Sequence, residues 1–442
     1  MTSTRAAHGS PLTADRTAAI PVTGRPGSEP RDEIPPLGFR EYWYPVCGER
    51  EVRRRRPRLV RLLGDELCLF RTRSGVAATT DLCPHRGARL SGGRCHTLGT
   101  VSCPYHGWTF DETGACVAAL SEGPRSAAPL RSRVRAYPTV VLKGVVFAWM
   151  GEGPATDPAV DLPPELTDDS LVFYDSTIWH ANWRPALENL NDNHVFYVHR
   201  NSIQMLMRPL GKISYSGARA VINGGGVQLT TYSDASERAR PAREYYPGLG
   251  ALWPRTNVRK LWTGVFSTRP LAWLWRLGDA TDYPRAPRGY HSSPEWNMGP
   301  HMPGMQRING GSCLYTRWCV PIDADTTREF YFFAVRPPAR TAAAWERAKY
   351  PLTQRLLRNR NLGFQDGRVL ERLRFDAPER LTGFDVETIG WRRLAILSAR
   401  YGGRHDRIPP EVIARLNVRR SRQTAARPAD EPYPADRRVR PD

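Results

Sequence analysis

The sequence predicts an α+β protein in which an all-β domain precedes a larger domain of mixed strands and helices. Short apolar runs separated by Gly-rich turns fill the segment 37–153, and helix-like runs become frequent only after it. Two short loops that contain both Cys and His lie inside this first segment. With 442 residues, the chain is long enough for roughly two or three domains.

The chain divides by composition into four segments. Residues 1–36 are rich in Ala, Thr, Pro and Gly, which predicts a disordered leader. The β domain is expected over 37–153 and the mixed domain over 154–417, and a Pro- and acid-rich stretch at 151–166 is predicted to link them. The Arg- and Pro-rich tail, 418–442, is again expected to be disordered.

Apolar periodicity predicts the elements of both domains. Strands of the first domain are expected at Arg58–Leu63, Leu67–Arg71, Val76–Thr80, Val101–Ser102 and Val145–Met150. Strands of the second are expected at Leu171–Tyr174, Gly226–Thr231, Ser312–Cys319 and Phe330–Val335. Helices are expected at Pro185–Val198, Thr341–Leu357, Leu362–Leu373 and Glu387–Tyr401. The stretch Tyr245–Arg307 is rich in Gly, Pro and Trp and is predicted to form long loops.

The composition is typical of a folded protein that does not enter a membrane. Hydrophobic residues make up 40% of the chain, enough for substantial cores. No window approaches about 18 uncharged apolar residues, and the N-terminus lacks the apolar stretch of a secretory signal. Eight Cys residues are too sparse for a disulfide scaffold. We therefore expect a cytoplasmic protein without a membrane partner.

The net charge of +20 would by itself suggest a nucleic-acid partner. Only four of the 64 basic residues are Lys, however, and this skew toward Arg is more typical of a GC-rich genome than of a binding surface. We therefore expect no nucleic-acid partner. A solvated basic surface is the simplest interpretation, and electrostatic attraction of an acidic partner protein is a second one.

Two loops carry the first group of metal-binding side chains. Cys83 and His85 are followed by 17 residues and then by Cys103 and His106, so that each loop supplies one Cys and one His. A zinc finger usually separates its Cys pair from its His pair. The interleaved order instead suits a [2Fe–2S] cluster in which two thiolates hold one iron and two imidazoles hold the other. A zinc knuckle is the alternative.

A second group lies further along the chain. His194 and His199 are five positions apart, which on a regular helix separates them by about 140°, so they converge only if the helix bends or ends. Iron that activates oxygen is typically held by two His and one carboxylate. The alternative is an ordinary pair of His on an amphipathic helix. Four carboxylates are candidates for the third ligand: Asp323, Asp325, Asp366 and Glu371.

These motifs together resemble the Rieske non-heme iron oxygenases. Cys83-Pro-His85-Arg-Gly and Cys103-Pro-Tyr-His106-Gly-Trp-Thr-Phe are similar to the cluster-binding loops of that family, and Glu188-Asn189 followed by the two His is similar to its iron-binding helix. The resemblance implies a Rieske [2Fe–2S] all-β domain followed by a helix-grip (START/Bet v 1-like) catalytic domain. It also implies the ligand sets. Cys83, His85, Cys103 and His106 would hold the cluster, and His194, His199 and Asp366 would hold Fe(II).

One position departs from the family pattern. A single residue separates Asp192 from His194 where the family has two, so either Asp192 or Asn191 takes the place of the family's acid. In the family this acid links a cluster His of one subunit, here His106, to an iron-binding His of its neighbour. The resemblance therefore implies a homotrimer, with Asp192 and Asn189 acting in catalysis.

The resemblance also implies the reaction and its partners. O₂ would be used together with electrons from NAD(P)H, delivered by a separate reductase, a ferredoxin or both. The chain itself has no G-x-G-x-x-G dinucleotide motif. The expected substrate is a hydrophobic small molecule, with specialised metabolites as a candidate class, and the expected outcomes include hydroxylation, dihydroxylation and dealkylation. The alternatives are an electron-transfer Rieske protein with a vestigial iron site and a basic binding protein with structural zinc.

Overall fold

The structure is a computed structural model that describes most of the two predicted domains. The described residues are 31–189, 194, 198–199, 212–213, 217–232, 240–241, 296, 298–309, 314–375, 377–382 and 385–418. Among them, no helix is both long enough and apolar enough to span a bilayer.

The N-terminal domain consists of three small antiparallel sheets. Its strands are β1 (Trp43–Gly48), β2 (Arg58–Leu62), β3 (Asp65–Arg71), β4 (Val76–Thr80), β5 (Thr100–Ser102), β6 (Trp108–Asp111), β7 (Cys116–Ala119), β8 (Ala136–Tyr137), β9 (Thr139–Leu142) and β10 (Val145–Trp149). The sheets have the orders β1-β10-β9, β2-β3-β4-β8 and β5-β6-β7. A one-turn helix, α1 (Ala128–Arg131), precedes β8. Every strand predicted in this domain is present within two residues of its expected ends.

A seven-stranded antiparallel sheet is the centre of the second domain. Its order is β11-β19-β18-β17-β16-β14-β13, and a separate pair joins β12 to β15. These strands are β11 (Leu171–Trp179), β12 (Lys212–Ile213), β13 (Gly217–Asn223), β14 (Gly226–Tyr232), β15 (Arg240–Pro241), β16 (Gly299–His301), β17 (Met305–Asn309), β18 (Leu314–Pro321) and β19 (Thr327–Val335). The strand β16 and the first three residues of β17 lie inside the stretch predicted to be loops, so that prediction is wrong there.

Helices of the second domain flank this sheet. They are α2 (Pro158–Asp161), α3 (Pro164–Thr167), α4 (Trp183–Glu188), α5 (Arg340–Lys349), a π-helix (Pro351–Leu362), α6 (Gly363–Leu370), α7 (Val386–Arg400) and α8 (Pro410–Val418). The single helix predicted at Thr341–Leu357 is interrupted after α5, because Pro351 cannot donate a backbone hydrogen bond. The helix predicted from Pro185 begins two residues earlier, since the Asn182 side chain accepts from the backbone N–H of Arg184 and caps it.

The two faces of the large sheet have different neighbours. Gln306 and Arg317 are register partners on β17 and β18, and their side chains share one face. The next residue, Trp318, points to the other face and packs there on Tyr44 and Phe147 of the first domain, with ring centroids 6.4 and 6.0 Å apart. The hydrophobic core therefore runs continuously from one domain into the other.

Three helices cover the face that carries Arg317. Helix α7 packs on β13, β14 and β16, and twelve of its fifteen residues are buried. Its Trp391 meets Trp183 of α4 edge to face, with centroids 5.6 Å apart. Helix α6 reaches the same face through Asp366, one of whose carboxylate oxygens is 3.7 Å from the Arg317 guanidinium. The sheet and these helices together position the candidate iron site.

The predicted linker is instead anchored structure. Proline opens both α2 and α3, as suits the first position of a helix, and Asp157 caps α2. Two acids from this stretch are buried in ion pairs. Glu165 meets Arg307 at 2.7 Å, and Asp161 meets Arg404 at 2.9 Å. The segment joins the domains as a packed connection, because these charges are buried and paired.

The end of the predicted disordered leader is also packed. Ile34 is buried, and the backbone carbonyl of Arg31 accepts a 2.6 Å hydrogen bond from Arg184 of the second domain. The expectation of disorder is therefore wrong for residues 31–36. Residues 1–30 and 419–442 lie outside the described residues, and the three boundaries between the four predicted segments remain predictions.

Candidate metal centres

The loops 83–88 and 103–108 have the same backbone hydrogen bonds. In each, the N–H of the first residue donates to the carbonyl of the sixth, at 2.9 and 2.8 Å, and the N–H of the fifth donates to the carbonyl of the first, at 2.9 and 3.1 Å. The fifth residue is Gly in both, and Gly87 and Gly107 have φ values of +73° and +67°, which favour glycine. The sequence repeat thus produces two matching loops.

The side chains of these loops are arranged in two layers. Cys83 and Cys103 are buried, whereas His85 is exposed and His106 is partly exposed. The two imidazole rings lie 4.6 Å apart between centroids, and His85 stacks on Trp108 at 4.5 Å. Burial, with the neighbouring Cys103 thiol, raises the pKa of Cys83 to about 11, so near neutral pH this thiol stays protonated unless a metal ion displaces the proton.

A single zinc ion fits these loops poorly. Zinc would require its four ligand atoms to converge on one point. Within the described part of the chain, a group of three or more such atoms within 4.8 Å of one another is found at a different place and not in these loops. A ligand set with two thiols inside and two imidazoles outside fits a pair of metal ions better, as in a [2Fe–2S] cluster.

The group that does converge consists of His194, His199 and Asp366. The Nε2 atoms of the two His lie 3.3 and 3.1 Å from Oδ1 of Asp366. His194 has irregular backbone, and a helical hydrogen bond from the N–H of Val198 to its carbonyl follows it. Both imidazole rings reach the same carboxylate, although the two residues are five positions apart.

The polar atoms of this group favour a cation between them. Oδ1 of Asp366 is buried and receives no hydrogen bond of acceptable geometry. Nδ1 of His199 lies 3.0 Å from Oε1 of Gln365, a contact that orients the ring with Nε2 toward Asp366. Two imidazole nitrogens and a carboxylate oxygen within 4.8 Å of one another are a donor set that divalent iron prefers. The residues therefore fit a metal ion.

Asp366 is held in its ionised form. Burial alone would raise its pKa, but the two imidazoles and the Arg317 guanidinium outweigh burial and hold the pKa well below its usual range. The other candidate carboxylates do not join this group. Asp323 and Asp325 are exposed in the turn between β18 and β19, and Glu371, also exposed, lies near the backbone N–H of His180.

The remaining predicted site residues lie differently. Asn189, buried at the end of α4, accepts from Arg317 at 3.5 Å and is not among the three converging residues. Asp192 and Asn191 lie outside the described residues, so their roles remain predictions. No role follows from the sequence for Arg317, Glu329 or Gln365; charged residues inside apolar strands were the available signal for the first two.

A cavity outlined by described residues is a separate feature. It has a volume of about 430 Å³ and is lined by Tyr42, Trp296, His301 and His405 among others, without any of the three converging residues. The sequence also predicts an apolar substrate pocket whose wall draws on Met205, Trp262, Phe266, Trp296 and Phe332. Of these, Trp296 borders this cavity and Phe332 lies in the core. The other expected wall residues, Met205, Trp262 and Phe266, lie outside the described residues.

A buried carboxyl on α7, the helix that covers the Arg317 face of the sheet, predicts that the stability of the fold depends on pH. Burial raises the pKa of Glu387 from its ordinary value of 4.5 to about 7, and a hydrogen bond from Gln306 offsets only part of that rise. The folded state therefore holds this proton more tightly than the unfolded state. The free energy of unfolding should fall by up to about 3 kcal/mol as the pH rises from 4.5 through 7. Glu387→Gln should raise the midpoint of thermal unfolding at pH 8 much more than at pH 5.

Circular dichroism at the two pH values measures this difference. Glu411→Gln, which changes an exposed carboxyl on α8, is the control and should change the midpoint little at either pH. An equal gain from Glu387→Gln at pH 5 and pH 8 would show that Glu387 is ionised in both conditions.

Comparison with known proteins agrees with this arrangement. A family model described as the Rieske [2Fe–2S] domain matches residues 42–138, which include both Cys/His loops. The terminal oxygenase component of carbazole 1,9a-dioxygenase from Metapseudomonas resinovorans is 35% identical over 181 residues, or 40% of this chain and 47% of that protein. The oxygenase subunit of 5,5'-dehydrodivanillate O-demethylase from Sphingobium sp. is 34% identical over 173 residues, or 38% of this chain and 40% of that protein.

The matched regions span about half the length of these curated relatives or less. The structural likeness extends further. The terminal oxygenase of carbazole 1,9a-dioxygenase from Novosphingobium sp. KA1 has a TM-score of 0.62 and 24% identity, over 84% of this chain and 96% of that one. The expected α+β class, with a Rieske β domain before a mixed domain, is confirmed. The chain carries a Rieske [2Fe–2S] domain and is a homologue of the terminal oxygenase components of Rieske oxygenases, whose fold it shares.

Proposed function

We propose that this chain is the terminal oxygenase component of a Rieske non-heme iron system. It uses O₂ and electrons from NAD(P)H, delivered by a separate reductase, a ferredoxin or both, to hydroxylate or otherwise oxidise a hydrophobic small molecule. The observation that carries the proposal is the second group of ligands. A protein that only transfers electrons through its cluster does not require a second set of metal ligands, such as an ionised, buried Asp366 whose Oδ1 faces two imidazole nitrogens.

The first group of ligands would hold the cluster. Cys83 and Cys103 would bind one iron from the buried side, and His85 and His106 would bind the other from the surface side. When bound, the cluster supplies single electrons at a potential above that of an all-Cys ferredoxin cluster. Because the imidazoles are on the surface side, electrons would enter and leave the domain there. Trp108, stacked on His85, holds that imidazole in place.

The second group would hold Fe(II). His194, His199 and Asp366 supply two imidazoles and one carboxylate, a set that leaves positions open for O₂ and substrate. When bound, the iron supplies activation of O₂. The chain's own contribution is to prepare the ligands: Gln365 orients His199 through Nδ1, and the two imidazoles and Arg317 keep Asp366 ionised despite its burial.

Relatives indicate the substrate class and the partner. The names of three matched proteins refer to carbazole, dehydrodivanillate and methylxanthine, which are aromatic, and another name refers to tert-butanol, which is not. One solved structure of the carbazole enzyme is a reduced complex between oxygenase and ferredoxin. We therefore propose an aromatic or otherwise hydrophobic substrate and a ferredoxin or reductase partner for this chain. Cytoplasmic location and a homotrimer, with Asp192 or Asn191 linking His106 to a neighbouring iron site, belong to the same proposal.

Metal analysis tests this function directly. Protein purified without oxygen should contain about three irons and two acid-labile sulfides per chain, one cluster plus one mononuclear iron. The alternative, an electron carrier with a vestigial second site, predicts about two irons to two sulfides. If that ratio persists after Fe(II) is added back, the oxygenase proposal fails.

A further inference from the structure

Arg317 is a buried charge in the middle of strand β18. Its side chain is only 2% exposed, and apolar residues surround it in the sequence. A buried guanidinium is costly unless other groups compensate its charge and its hydrogen-bonding capacity. Its partners therefore indicate what the residue does.

Four groups surround the guanidinium. Nε lies 2.8 Å from a carboxylate oxygen of Glu329, which is itself fully buried. Nη2 donates to the backbone carbonyl of Ala186. Nη1 lies 3.5 Å from Oδ1 of Asn189 and 3.7 Å from Oδ2 of Asp366, the oxygen that faces away from the imidazoles. Arg317 thus contacts the Asp366 carboxylate at the oxygen opposite the one that the two imidazoles approach.

These contacts join the two chain segments that carry the iron ligands. Ala186 and Asn189 form the end of α4, and His194 follows only five residues after Asn189. Asp366 lies on α6, in a distant part of the sequence. A single side chain on the sheet therefore connects both segments.

Trp179 packs over this connection from β11. The Arg317 guanidinium lies 4.6 Å from the centroid of its ring. On the other side, a Cβ at Gly367 would lie only 3.0 Å from the indole nitrogen, so the glycine next to Asp366 lets the indole approach α6 closely. The guanidinium is consequently fixed in one orientation, as a group that positions another must be.

We propose that Arg317 is a positioning residue for the mononuclear iron site. Its guanidinium holds the Asp366 carboxylate and the end of α4 in the arrangement that binds iron, and Glu329 compensates its positive charge. This inference rests on the proposed function, because it requires that His194, His199 and Asp366 bind Fe(II).

Positioning and simple charge effects predict opposite results. A cation near the site repels Fe(II), so if charge alone mattered, removal of Arg317 would tighten binding. If the guanidinium fork positions Asp366 and α4, both Arg317→Lys, which keeps the charge, and Arg317→Met, which keeps much of the volume, should weaken Fe(II) binding. Loss of a partner behind a metal ligand typically costs about 10–100-fold in metal affinity, and we expect a loss in this range.

The experiment measures the Kd for Fe(II) in the full chain. The mononuclear iron is removed with a chelator under anaerobic conditions while the cluster is retained, and Fe(II) is titrated back against a competing chelator. The visible spectrum of the cluster reports that the first domain is intact, and circular dichroism reports that the whole of each variant is folded. The absorption of Co(II) bound in place of Fe(II) should also change in the Arg317 variants, because it reports coordination geometry.

Arg307 provides a matched control on the same sheet. Its side chain is fully buried on β17, pairs with both oxygens of Glu165 at 2.7 and 3.2 Å, and lies over the Trp296 ring at 5.4 Å. Its register partner is Thr316, so it faces away from the iron ligands. Arg307→Lys and Arg307→Met should lower the midpoint of thermal unfolding without a change in the Fe(II) Kd or the Co(II) spectrum.

Each outcome decides the inference. A Kd that is unchanged or tighter in the Arg317 variants, or one weakened equally in the Arg307 variants, overturns it. If Arg317→Met loses its cluster during purification, Glu329→Gln takes its place. That variant removes the anchor of the guanidinium and should weaken Fe(II) binding in the same direction, and an unchanged Kd in it also overturns the inference. If wild-type protein binds no second iron at all, the proposed function itself has failed.

Discussion

Replacing Asp366 with Ala should remove the mononuclear iron and abolish turnover, while the spectrum of the [2Fe–2S] cluster stays unchanged. Asp366 is the only anionic member of the converging group, and its ionised Oδ1 lies 3.1–3.3 Å from both imidazole nitrogens. Two neutral imidazoles alone bind Fe(II) weakly, since the carboxylate supplies the charge that suits this ion. Iron should therefore fall from about three to about two per chain, with about two sulfides retained. Iron and sulfide analysis, together with the visible spectrum, measures this.

Two further variants make the test specific. Asp366→Asn keeps the shape of the side chain and removes its charge, so it should also lose the iron. Glu371→Gln changes a carboxyl five positions along the chain that does not join the converging group, and should keep both the iron and the activity. Retention of three irons in Asp366→Ala would mean that another carboxylate is the ligand. Loss of the cluster spectrum in that variant would contradict the division into two separate centres.

The contrast between the two centres shows what a single sequence can reveal. The loops around Cys83 and Cys103 could be predicted, because all four ligands are local and each loop closes through its own backbone hydrogen bonds and its own glycine. The second centre is only partly local. His194 and His199 can be recognised together because they are only five positions apart in the sequence. Asp366 comes from a helix far along the chain, and the sequence spacing left four candidate carboxylates for the third ligand.

Other features depend on partners that no local pattern specifies. Arg317 and Glu329 interrupt two apolar strands, which indicates buried charges but does not indicate that one of them contacts Asp366. The stretch 151–166 has the composition of a linker, yet Glu165 is buried because Arg307 faces it from the sheet. Composition therefore predicts exposure only where no distant residue supplies the opposite charge.

Replacing Cys83 with Ala should bleach the protein, which is the second large effect. Cys83 is one of two buried thiols in a loop pair whose ligands do not converge on a single ion, and a [2Fe–2S] cluster does not survive the loss of a thiolate. Both cluster irons and both sulfides should be lost together, so the visible absorption disappears. Because the mononuclear ligands lie in the other domain, about one iron per chain should remain after Fe(II) is added back.

Cys95→Ala is the matched control, because Cys95 is buried in the same core cluster as Cys83 and carries a thiol whose pKa burial likewise raises to about 11. That variant should keep the colour and the full metal content. If it bleached as well, the colour would depend on packing of this core rather than on ligation by Cys83. If Cys83→Ala stayed brown with two sulfides, Cys83 would not be a cluster ligand.

The Cys83→Ala and Asp366→Ala variants together predict complementary metal contents. Cys83→Ala should contain about one iron without sulfide, and Asp366→Ala should contain about two irons with two sulfides. A zinc protein or a single-centre electron carrier cannot produce both results.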